Sequence, residues 1–439
     1  MNGDKRQPRL AATVVLTRDS PGGLELLLLR RAERGDHNSG AWVFPGGLVD
    51  SADRQCHALC SGLDDAEASR RLGIESGGLD LLVAAVRECF EEAGVLFALG
   101  PEGHTVDLQG APGAELSARR GALASGECSL ADLCQAHALR LCVDRLHYIA
   151  HWLTPIGRAK RFDTRFFVAV LPAGQASAHD AVETVEQVWL TPAEALAPEN
   201  ARRLMTPTRA VIEQLAAFAD TPALLAWARA SRPVQRVLPR LATRGDGPCP
   251  ILPGDPAWDE VGRLDPEGSG QAWCEIRPGV PLQLTPGVLR LAAATTGDHS
   301  YLVECDPGAW AVIDPGPPDA VHHDNLVAAA PGPLRWICLT DGKGNGDAGQ
   351  AQGAADLAAR TGAQLLGTNR LRATAVGALL GAWPAPAPGT TCYLRAQDGM
   401  LFAGVQDLPG AWLAAHGVEW LAARRSFLAP AFPAEEPTP

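Results

Sequence analysis

Apolar runs of strand length alternate with longer segments of helical spacing in the first half of the chain. This alternation predicts a mixed α/β fold. Short runs of Leu, Val and Ala that end at Gly, Pro or Asp are typical of strands. The predicted strands are residues 11–16, 24–29 and 165–171, and the turn signal at 20–23 predicts that the first two pair. The predicted helices are residues 81–93, which Gly94 would cap, and 201–218.

A second set of alternating elements follows a segment of different composition. Residues 236–279 are rich in Pro, Gly and Asp and show little periodicity, so we predict a linker with irregular structure. The chain is thereby divided into a first domain at residues 8–235, this linker, and a second domain at residues 280–430. The elements predicted in the second domain are strands at 288–292, 301–304, 309–313 and 334–339 and a helix at 351–360.

Composition places the chain among folded proteins of more than one domain. Its 439 residues are too many for one ordinary domain, and 46% hydrophobic residues are enough for a sizeable core. The formal net charge of −12 argues against nucleic acid as the main partner. No apolar run approaches the roughly 20 residues that cross a bilayer, so we expect no membrane segment.

Cysteine usage bears on the compartment. The 11 cysteines are scattered without the regular spacing of a disulfide framework, and the polar first residues do not resemble a signal peptide. Reduced thiols are the simplest interpretation, and we therefore expect a cytoplasmic protein.

Three glutamates on the predicted helix at 81–93 are the strongest indication of chemistry. Glu88, Glu91 and Glu92 stand at i, i+3 and i+4, so their carboxylates share one face and repel one another. A hard divalent cation with oxygen ligands would relieve this repulsion. Upstream, a short strand ends at Gly46 and Gly47, where the backbone can approach a ligand closely. The alternative is an ordinary solvated helix face.

The same segment resembles the Nudix box, whose pattern is G-x5-E-x7-R-E-U-x-E-E-x-G-U, with U an apolar residue. Gly47 fits the opening glycine, and Cys89 and Val95 fit two of the apolar positions. The closing half is matched by Arg87, Glu88, Glu91, Glu92 and Gly94. This pattern is long and restrictive. The resemblance to the Nudix hydrolases implies an α/β/α sandwich built around a mixed sheet.

The box is interrupted in a way that narrows the resemblance. Asp53 stands where the pattern has its first glutamate, and the usual seven-residue gap before Arg87 is expanded by a long insertion. An insertion of this kind resembles the coenzyme A diphosphatase-like branch of the Nudix hydrolases, typified by a peroxisomal acyl-CoA diphosphatase. The resemblance covers residues 8–235, about half of the chain.

This resemblance implies roles for the residues of the box. Glu88, Glu91 and Glu92 would hold Mg²⁺ or Mn²⁺ against a pyrophosphate, and the cation would activate the attacking water. Arg87 would orient the glutamates by pairing with an acid. Asp53 is the positional candidate for that acid, although a turn residue before the insertion explains it as well.

The resemblance also implies which residues contact the substrate. Gly46 and Gly47 would do so through their backbone, and Arg161 and Arg165 would bind phosphate oxygens. A surface ion-pair network with Asp163 explains the two arginines equally well.

The implied reaction is hydrolysis of a nucleoside diphosphate linked to another group, with a small-molecule nucleotide as the partner. The branch favours coenzyme A or acyl-CoA, cleaved to adenosine 3′,5′-bisphosphate and (acyl-)4′-phosphopantetheine. A glutamate of the cluster, Glu183 or Glu186 would accept the proton of the attacking water. The alternatives are another nucleotide, such as NADH or ADP-ribose, and a non-enzymatic Nudix-fold ligand sensor. A homo-oligomer is compatible with the sequence.

Residues 280–430 resemble a second family, the metallo-β-lactamase-like αββα domains, in truncated form. The segments that match its opening strands are 287–291, 300–303, 310–316 and 335–340. The positions that correspond to its zinc ligands carry Asp341, Lys343, Asn345, Gly346, Thr390, Val405 and Arg425. A dinuclear zinc site needs several His and carboxylate ligands together, so we expect neither zinc nor catalysis in this domain. The G-x-G-x-x-G sequence at 344–349 is interpreted as a turn.

Two smaller groups of metal-ligand residue types have simpler explanations. His147 and His151 lie four positions apart, but their apolar neighbours favour packing in a core or strand. Cys56, His57 and Cys60 have the spacing to begin a zinc site, yet no fourth ligand accompanies them. We therefore favour ordinary reduced thiols.

Overall fold

A computed structural model describes most of the chain, which divides into two compact units, Met1–Leu238 and Pro239–Pro439. The described residues are 7–33, 39–109, 111–230, 232–340, 348–366, 374–386, 390–404, 408–423 and 426–428. Within these ranges, no helix is long and apolar enough to span a membrane.

Unit 1 contains strands and helices in alternation. Its strands are β1 Arg9–Ser20, β2 Gly23–Arg31, β3 Trp42–Val43, β4 Gly46–Leu48, β5 Ala98–Leu99, β6 Arg140–Leu141, β7 His147–Leu153, β8 Phe162–Val170, β9 Thr184–Leu190 and β10 Arg236–Val237. Its helices are α1 Asp65–Leu72, α2 Gly78–Ala93, α3 Ala111–Ala124, α4 Leu130–Ala136, α5 Pro192–Leu196, α6 Thr206–Leu215 and α7 Thr221–Arg229. Short 3₁₀ helices lie at Ser51–Leu59, Val143–Arg145 and Pro198–Asn200.

A mixed sheet forms the middle layer of unit 1. In the described residues its order is β10-β7-β8-β1-β2-β3, with β4 paired to β1 and β9 paired to β2. β1 is parallel to β8, and β7 is parallel to β10, while the remaining pairs of this sheet are antiparallel. Strands β5 and β6 form a separate pair.

Helices cover both faces of this sheet. On one face Val14, Leu16 and Phe167 share a buried cluster with Val86 and Phe90 of α2. On the other face the side chains of α6 and α7 line a cavity together with Trp152 of β7. The unit is therefore an α/β/α sandwich, which confirms the fold class predicted for the first domain.

The inserted segment between Asp53 and Arg87 belongs to the core. Cys56 and Cys60, from the 3₁₀ helix and its end, are buried in the same cluster as α2, as are Ala68 and Leu72 of α1. The insertion thus packs against the glutamate-bearing helix.

The predicted helix at 201–218 is shorter in the structure. The helix α6 begins only at Thr206, with Pro207 in its first turn. Proline has no N–H to donate and restricts the residue before it, so it is tolerated at a helix start and disfavoured farther inside. Ala201 has a φ of 47°, which ends the preceding 3₁₀ helix.

Unit 2 is built mainly from strands. These are β11 Arg240–Arg244, β12 Gly247–Ile251, β13 Ala272–Trp273, β14 Leu282–Thr285, β15 Val288–Ala292, β16 His299–Asp306, β17 Ala309–Ile313, β18 Leu334–Cys338, β19 Gln364–Leu366, β20 Thr374–Ala375, β21 Gly381–Pro384, β22 Thr391–Arg395, β23 Met400–Ala403, β24 Trp420–Ala423 and β25 Ser426–Leu428. Its helices are α8 Trp258–Leu264, α9 Ala320–Ala329, α10 Ala348–Thr361 and α11 Gly410–Ala415.

Two sheets, β14 to β19 and β20 to β25, pack face to face in unit 2. Tyr301 of the first sheet and Phe402 of the second lie in one buried cluster, with ring centroids 5.2 Å apart. Leu326 of α9 and Leu357 of α10 pack on the outer face of the first sheet, and Leu413 of α11 packs on that of the second. The layers agree with an αββα arrangement, whereas membership of the metallo-β-lactamase-like family stays a prediction.

The segment predicted to be a linker is instead folded. β10 joins the sheet of unit 1, and β11, β12 and β13 form a three-stranded sheet that packs with α8 through a core containing Ile251 and Val261. The prolines of this segment at positions 248 and 250 lie in β12, which is an edge strand. An edge strand tolerates proline because its outward N–H groups need no ladder partner, so composition alone gave the wrong prediction.

A buried histidine in unit 2 couples folding to pH. The Oγ of Ser300 donates to the carbonyl of Asp314 at 2.6 Å and lies 2.8 Å from Nε2 of His322. The Nδ1 atom of His322 is buried without a hydrogen-bond partner among the described residues. Burial, with a smaller contribution from His323, lowers the pKa of His322 to about 4. The folded unit therefore holds this histidine in the neutral form.

We expect acid to destabilise unit 2 through His322. Below the ordinary histidine pKa the unfolded chain binds a proton that the folded chain does not, so the free energy of unfolding falls as pH decreases. The loss attributable to His322 is about 2 kcal/mol between pH 7 and pH 5. Urea unfolding at both pH values should show a smaller loss in His322→Gln, whereas the exposed His104→Gln should behave like the wild type. Identical pH dependence in His322→Gln and the wild type would contradict the assignment.

Candidate active site

The helix α2 presents the three glutamates near its carboxyl end. It ends at Gly94, which has a φ of 67°, and the N–H of Gly94 donates to the carbonyl of Phe90 at 3.0 Å. Glycine adopts this left-handed conformation at little cost, so the helix stops directly after the cluster. This confirms the predicted helix and its glycine cap.

The strand β4 lies directly against the glutamates. The N–H of Gly46 donates to Oε2 of Glu92 at 2.9 Å. A Cβ atom at Gly47 would lie 2.4 Å from Oε1 of Glu88, so any larger residue would displace that carboxylate. In the structure, therefore, Gly46 and Gly47 position the glutamates, and their predicted contact with substrate stays a prediction.

A buried guanidinium crosses from the helix to the inserted segment. Nε of Arg87 donates to Oδ1 of Asp53 at 2.8 Å, and Nη2 donates to Oδ2 at 3.1 Å, which is a bidentate pair. Nη1 donates to Oε1 of Glu88 at 2.8 Å and lies 3.4 Å from Oε1 of Glu91. Burial disfavours the charge of Arg87, but its three acidic neighbours outweigh this and raise its pKa.

Asp53 has both roles that the sequence left open, the partner of Arg87 and a turn residue before the insertion. Its side chain pairs with Arg87, and its Oδ2 also accepts from the N–H of Asp50 at 2.8 Å. The second bond closes a capping box at the start of the 3₁₀ helix Ser51–Leu59. The carboxylate of Asp53 is therefore both the turn acid and the partner of the arginine.

The glutamates lie in an environment that favours their neutral forms. Glu92 is 6% exposed, and burial together with the nearby charge of Glu88 raises its pKa to about 8. Burial raises the pKa of Glu91 to about 7, opposed by Arg87 and reinforced by Glu88. The pKa of Glu88 is also raised, chiefly by burial. When ionised, the three carboxylates carry more negative charge than the single guanidinium of Arg87 compensates.

This donor set fits a hard divalent cation by its chemistry. Carboxylate oxygens are the ligands that Mg²⁺ and Mn²⁺ prefer, and a cation would offset the desolvated charges of Glu88, Glu91 and Glu92. In the described residues no three His, Cys, Asp or Glu side chains converge on one point at metal-binding geometry. The carboxylates of Glu88 and Glu92 are held by Arg87 and Gly46, respectively.

An arginine that the sequence analysis missed supports the same helix. Nε of Arg120, in α3, donates to the backbone carbonyl of Glu91 at 2.7 Å, and its Nη1 lies 3.5 Å from the carbonyl of His179. A cation at the carboxyl end of a helix compensates the helix dipole. The last turn of α2 has no basic residue of its own. Only the tertiary packing of α3 against α2 reveals this residue.

The two glutamates outside the cluster that are considered as proton acceptors differ in their surroundings, since Glu183 precedes β9 and Glu186 lies within it. Oε2 of Glu186 accepts from Nε of Arg30 at 2.8 Å, so this carboxylate is held in an ion pair. Glu183 is close enough for its charge to raise the pKa of both Glu88 and Glu92, after the larger effect of burial. The backbone carbonyl of Glu183 also accepts from Ala32 at 2.8 Å.

The two predicted phosphate-binding arginines also differ. Nε of Arg161 donates to the carbonyl of Thr154 at 3.1 Å. Arg165 is 5% exposed, and its Nη1 donates to Oδ1 of Asp163 at 2.8 Å. The same Oδ1 lies 2.5 Å from Nε2 of His151. Arg165 therefore forms the ion pair with Asp163 that the sequence offered as the alternative to phosphate binding.

The remaining groups singled out from the sequence have structural explanations or lie outside the described residues. His147 and His151 belong to strand β7, and Nε2 of His57 pairs with Asp80 at 2.7 Å. Cys56 and Cys60 are buried free thiols. Residues 344–347 of the glycine-rich sequence lie outside the described residues, as do the substituted ligand positions Asp341, Lys343, Asn345, Gly346, Val405 and Arg425.

Comparisons with known proteins identify relatives of this chain. Residues 76–210 match the family model of the NUDT19 Nudix domain, and residues 7–111 match that of the NUDIX domain. The human acyl-coenzyme A diphosphatase NUDT19 is 31% identical over 272 residues, which is 53% of this chain and 72% of the human protein. The Gallus gallus protein of the same name is 29% identical over 323 residues, covering 62% and 84% of the two chains.

Among solved structures, a NUDIX hydrolase from Alicyclobacillus acidocaldarius is similar to this chain. It is 27% identical, the match covers 50% of this chain and 96% of that chain, and the TM-score is 0.43.

We expect Asp53→Asn to destabilise unit 1. The substitution removes the charge that compensates the buried guanidinium of Arg87 while leaving that guanidinium in place. Breaking a buried pair in this way costs about 3 kcal/mol of unfolding free energy. Urea unfolding measures the loss. Asp50→Asn is the matched control, because Asn caps a helix as well as Asp does and Asp50 is exposed. Equal stability of the two variants would show that the pair contributes nothing.

Proposed function

The chain belongs to the Nudix hydrolase family, in the branch that contains the NUDT19 proteins, and we propose that it hydrolyses coenzyme A or acyl-CoA. The bond cleaved is the pyrophosphate, and the products are adenosine 3′,5′-bisphosphate and (acyl-)4′-phosphopantetheine. Support for this substrate comes from the relatives named acyl-coenzyme A diphosphatase and from the insertion in the box.

The observation that carries the proposal is the buried carboxylate cluster. Glu88, Glu91 and Glu92 share one helix face, and each is placed by a specific contact with Arg87 or Gly46. Nudix hydrolases generally use divalent metals, and we assign Mg²⁺ or Mn²⁺ to these three carboxylates. When bound, such a cation neutralises phosphoryl oxygens and lowers the pKa of the attacking water.

The chain's own residues organise the reaction around this cluster. Arg87 restricts the rotamers of Glu88 and Glu91, so their oxygens are oriented before substrate arrives. A carboxylate oxygen of Glu183 is our assignment for the acceptor of the water's proton. Glu183 is exposed and electrostatically coupled to the cluster, whereas Glu186 is held by Arg30.

Backbone and arginine contacts complete the proposed substrate site. The backbone of Gly46 and Gly47 is our assignment for the edge of the substrate site, because Glu88 and Glu92 pack directly against these two glycines. Arg161 and Arg165 supply cationic groups for the phosphate oxygens of the substrate. The acceptance of a nucleotide-linked small molecule follows from the family, and the choice of coenzyme A over another nucleotide is part of the proposal.

We expect the substitutions Glu91→Gln and Glu92→Gln to abolish most turnover while the fold is kept. Each removes a charged oxygen ligand, and the lost transition-state stabilisation corresponds to about 100-fold or more in kcat. Binding of Mn²⁺, measured by electron paramagnetic resonance, should weaken in parallel.

Glu75→Gln is the matched control for this comparison, because Glu75 is exposed and lies in unit 1 outside the cluster. Turnover and Mn²⁺ affinity at wild-type levels in both cluster variants would rule out this site.

We also expect coenzyme A or an acyl-CoA to be the best substrate in a panel with NADH, ADP-ribose and dinucleoside polyphosphates, each with Mg²⁺ and with Mn²⁺. Mass spectrometry of the coenzyme A reaction should detect adenosine 3′,5′-bisphosphate and 4′-phosphopantetheine in equal amounts.

The Glu92→Gln protein, purified in the same way, is the control for contaminating hydrolases. Much faster turnover of ADP-ribose or NADH would contradict the coenzyme A assignment and leave the Nudix chemistry in place. Binding of nucleotides without turnover of any of them would instead indicate a ligand sensor.

A further inference from the structure

One row of residues connects the glutamate site to Arg165 across three strands. Ala12 of β1 pairs with Gly47 of β4 on one side and with Arg165 of β8 on the other. Paired residues of neighbouring strands project from the same face of a sheet. Two strand spacings separate Arg165 from Gly47, so their Cα atoms lie about 10 Å apart.

The face on which this row lies is the one that carries α2. Val14 and Phe167, which are in the same alternation as Ala12 and Arg165, share a buried cluster with α2. Gly47 lies against Glu88 of that helix. Arg165 therefore projects from the same face as the glutamates and lies to one side of them.

The face of the sheet beside the glutamates is buried at Ala12 and Arg165 and becomes exposed toward the start of β1. Only the methyl group of Ala12 projects from the row between Gly47 and Arg165. Leu10, two residues earlier on the same face and paired with Asp163, is 44% exposed. Ala12 is buried whereas Leu10 is exposed, so a ligand that begins at the glutamates can reach Arg165 along the Leu10 side of the row.

The guanidinium of Arg165 is fixed and still has an unused donor. Nη1 is held by Oδ1 of Asp163 at 2.8 Å, and the same oxygen lies 2.5 Å from Nε2 of His151. The Nε of Arg165 is buried and has no hydrogen-bond partner among the described residues. A buried donor without a partner is costly, and an anionic oxygen is the acceptor that would satisfy it best.

Coenzyme A has one anionic group outside its pyrophosphate, the phosphate on the 3′ oxygen of the ribose. The 3′ phosphorus and the pyrophosphate phosphorus on the 5′ oxygen are linked through a single ribose, so one ligand can place them beside two residues on strands two spacings apart. NADH and ADP-ribose have no such phosphate. An arginine beside the metal site is therefore suited to distinguish these molecules.

We propose that Arg165 binds the ribose 3′-phosphate of the substrate and thereby selects 3′-phosphorylated adenosine nucleotides. Asp163 and His151 are positioning residues that hold the guanidinium in place beside the exposed Leu10. This inference rests on the proposed function and names the group that the site recognises.

The kinetic test compares coenzyme A with 3′-dephospho-coenzyme A. The wild-type protein should prefer coenzyme A by about 10- to 100-fold in kcat/KM, the range expected of hydrogen bonds to a charged group. In Arg165→Gln this ratio should fall to near 1, through a higher KM for coenzyme A with little change in kcat. Arg165→Lys should keep part of the preference. A wild-type protein without the preference, or an Arg165→Gln protein that retains it, would overturn the proposal.

Two further variants separate recognition from general structural damage. His151→Gln should raise the KM for coenzyme A and leave that for 3′-dephospho-coenzyme A unchanged, which a merely destabilised protein would not do. Arg18→Gln is the matched control, because Arg18 lies toward the far end of β1 and pairs with Glu25 at 2.7 Å. Its substrate preference should equal that of the wild type. Equal increases of both KM values in His151→Gln would remove the positioning role.

A binding measurement keeps this proposal distinct from the proposed function. Calorimetric titration of the metal-free full chain should show tighter binding of adenosine 3′,5′-bisphosphate than of AMP, and Arg165→Gln should lose the difference. That result without any turnover of coenzyme A would support the arginine and refute the proposed function. Equal affinities of the wild type for the two nucleotides would refute the arginine even if coenzyme A is hydrolysed.

Discussion

The structure of unit 1 depends on compensating three carboxylates that are gathered on one helix face and largely removed from water. Arg87 supplies the central positive charge, and it is fixed by a bidentate pair with Asp53. Burying charge is tolerated only with such pairing. Arg120 adds a second cation at the helix end, through the backbone carbonyl of Glu91. What remains uncompensated is the negative potential that a divalent cation would bind.

The long insertion in the box is compatible with this arrangement because Asp53 and Arg87, which flank it, remain in contact. Asp53 lies at the start of a 3₁₀ helix that it helps to cap, and the chain then returns through α1 to the beginning of α2. The inserted residues contribute apolar side chains such as Cys56 and Leu72 to the core around α2. The insertion thus stabilises the glutamate helix, and the ion pair between Asp53 and Arg87 spans it.

Unit 2 has a different centre, a buried aspartate between two strands. Asp314 has a φ of 51°, follows β17, and accepts from the N–H and hydroxyl of Thr340 at 2.9 and 2.5 Å after β18. These bonds join the carboxyl ends of neighbouring parallel strands, where the backbone would otherwise have unpaired groups. Ser300 donates to the backbone carbonyl of Asp314 and extends the polar cluster to His322. In unit 2, these buried contacts of Asp314 therefore hold the ends of neighbouring strands together.

The sequence by itself determined the glutamate helix, its glycine cap, the paired first strands and the family, because these depend on short-range spacing. Residues three and four positions apart on a helix share a face in any fold, so the cluster was visible without coordinates. The sequence left two roles open for Asp53, a turn residue and the partner of Arg87. Packing of the insertion gives Asp53 both roles. Tertiary structure alone decided the contribution of Arg120 and the row from Gly47 to Arg165, because strand register brings together residues far apart in sequence. It also decided the folded state of residues 236–279, since an edge strand accommodates prolines that, by composition, indicate a linker.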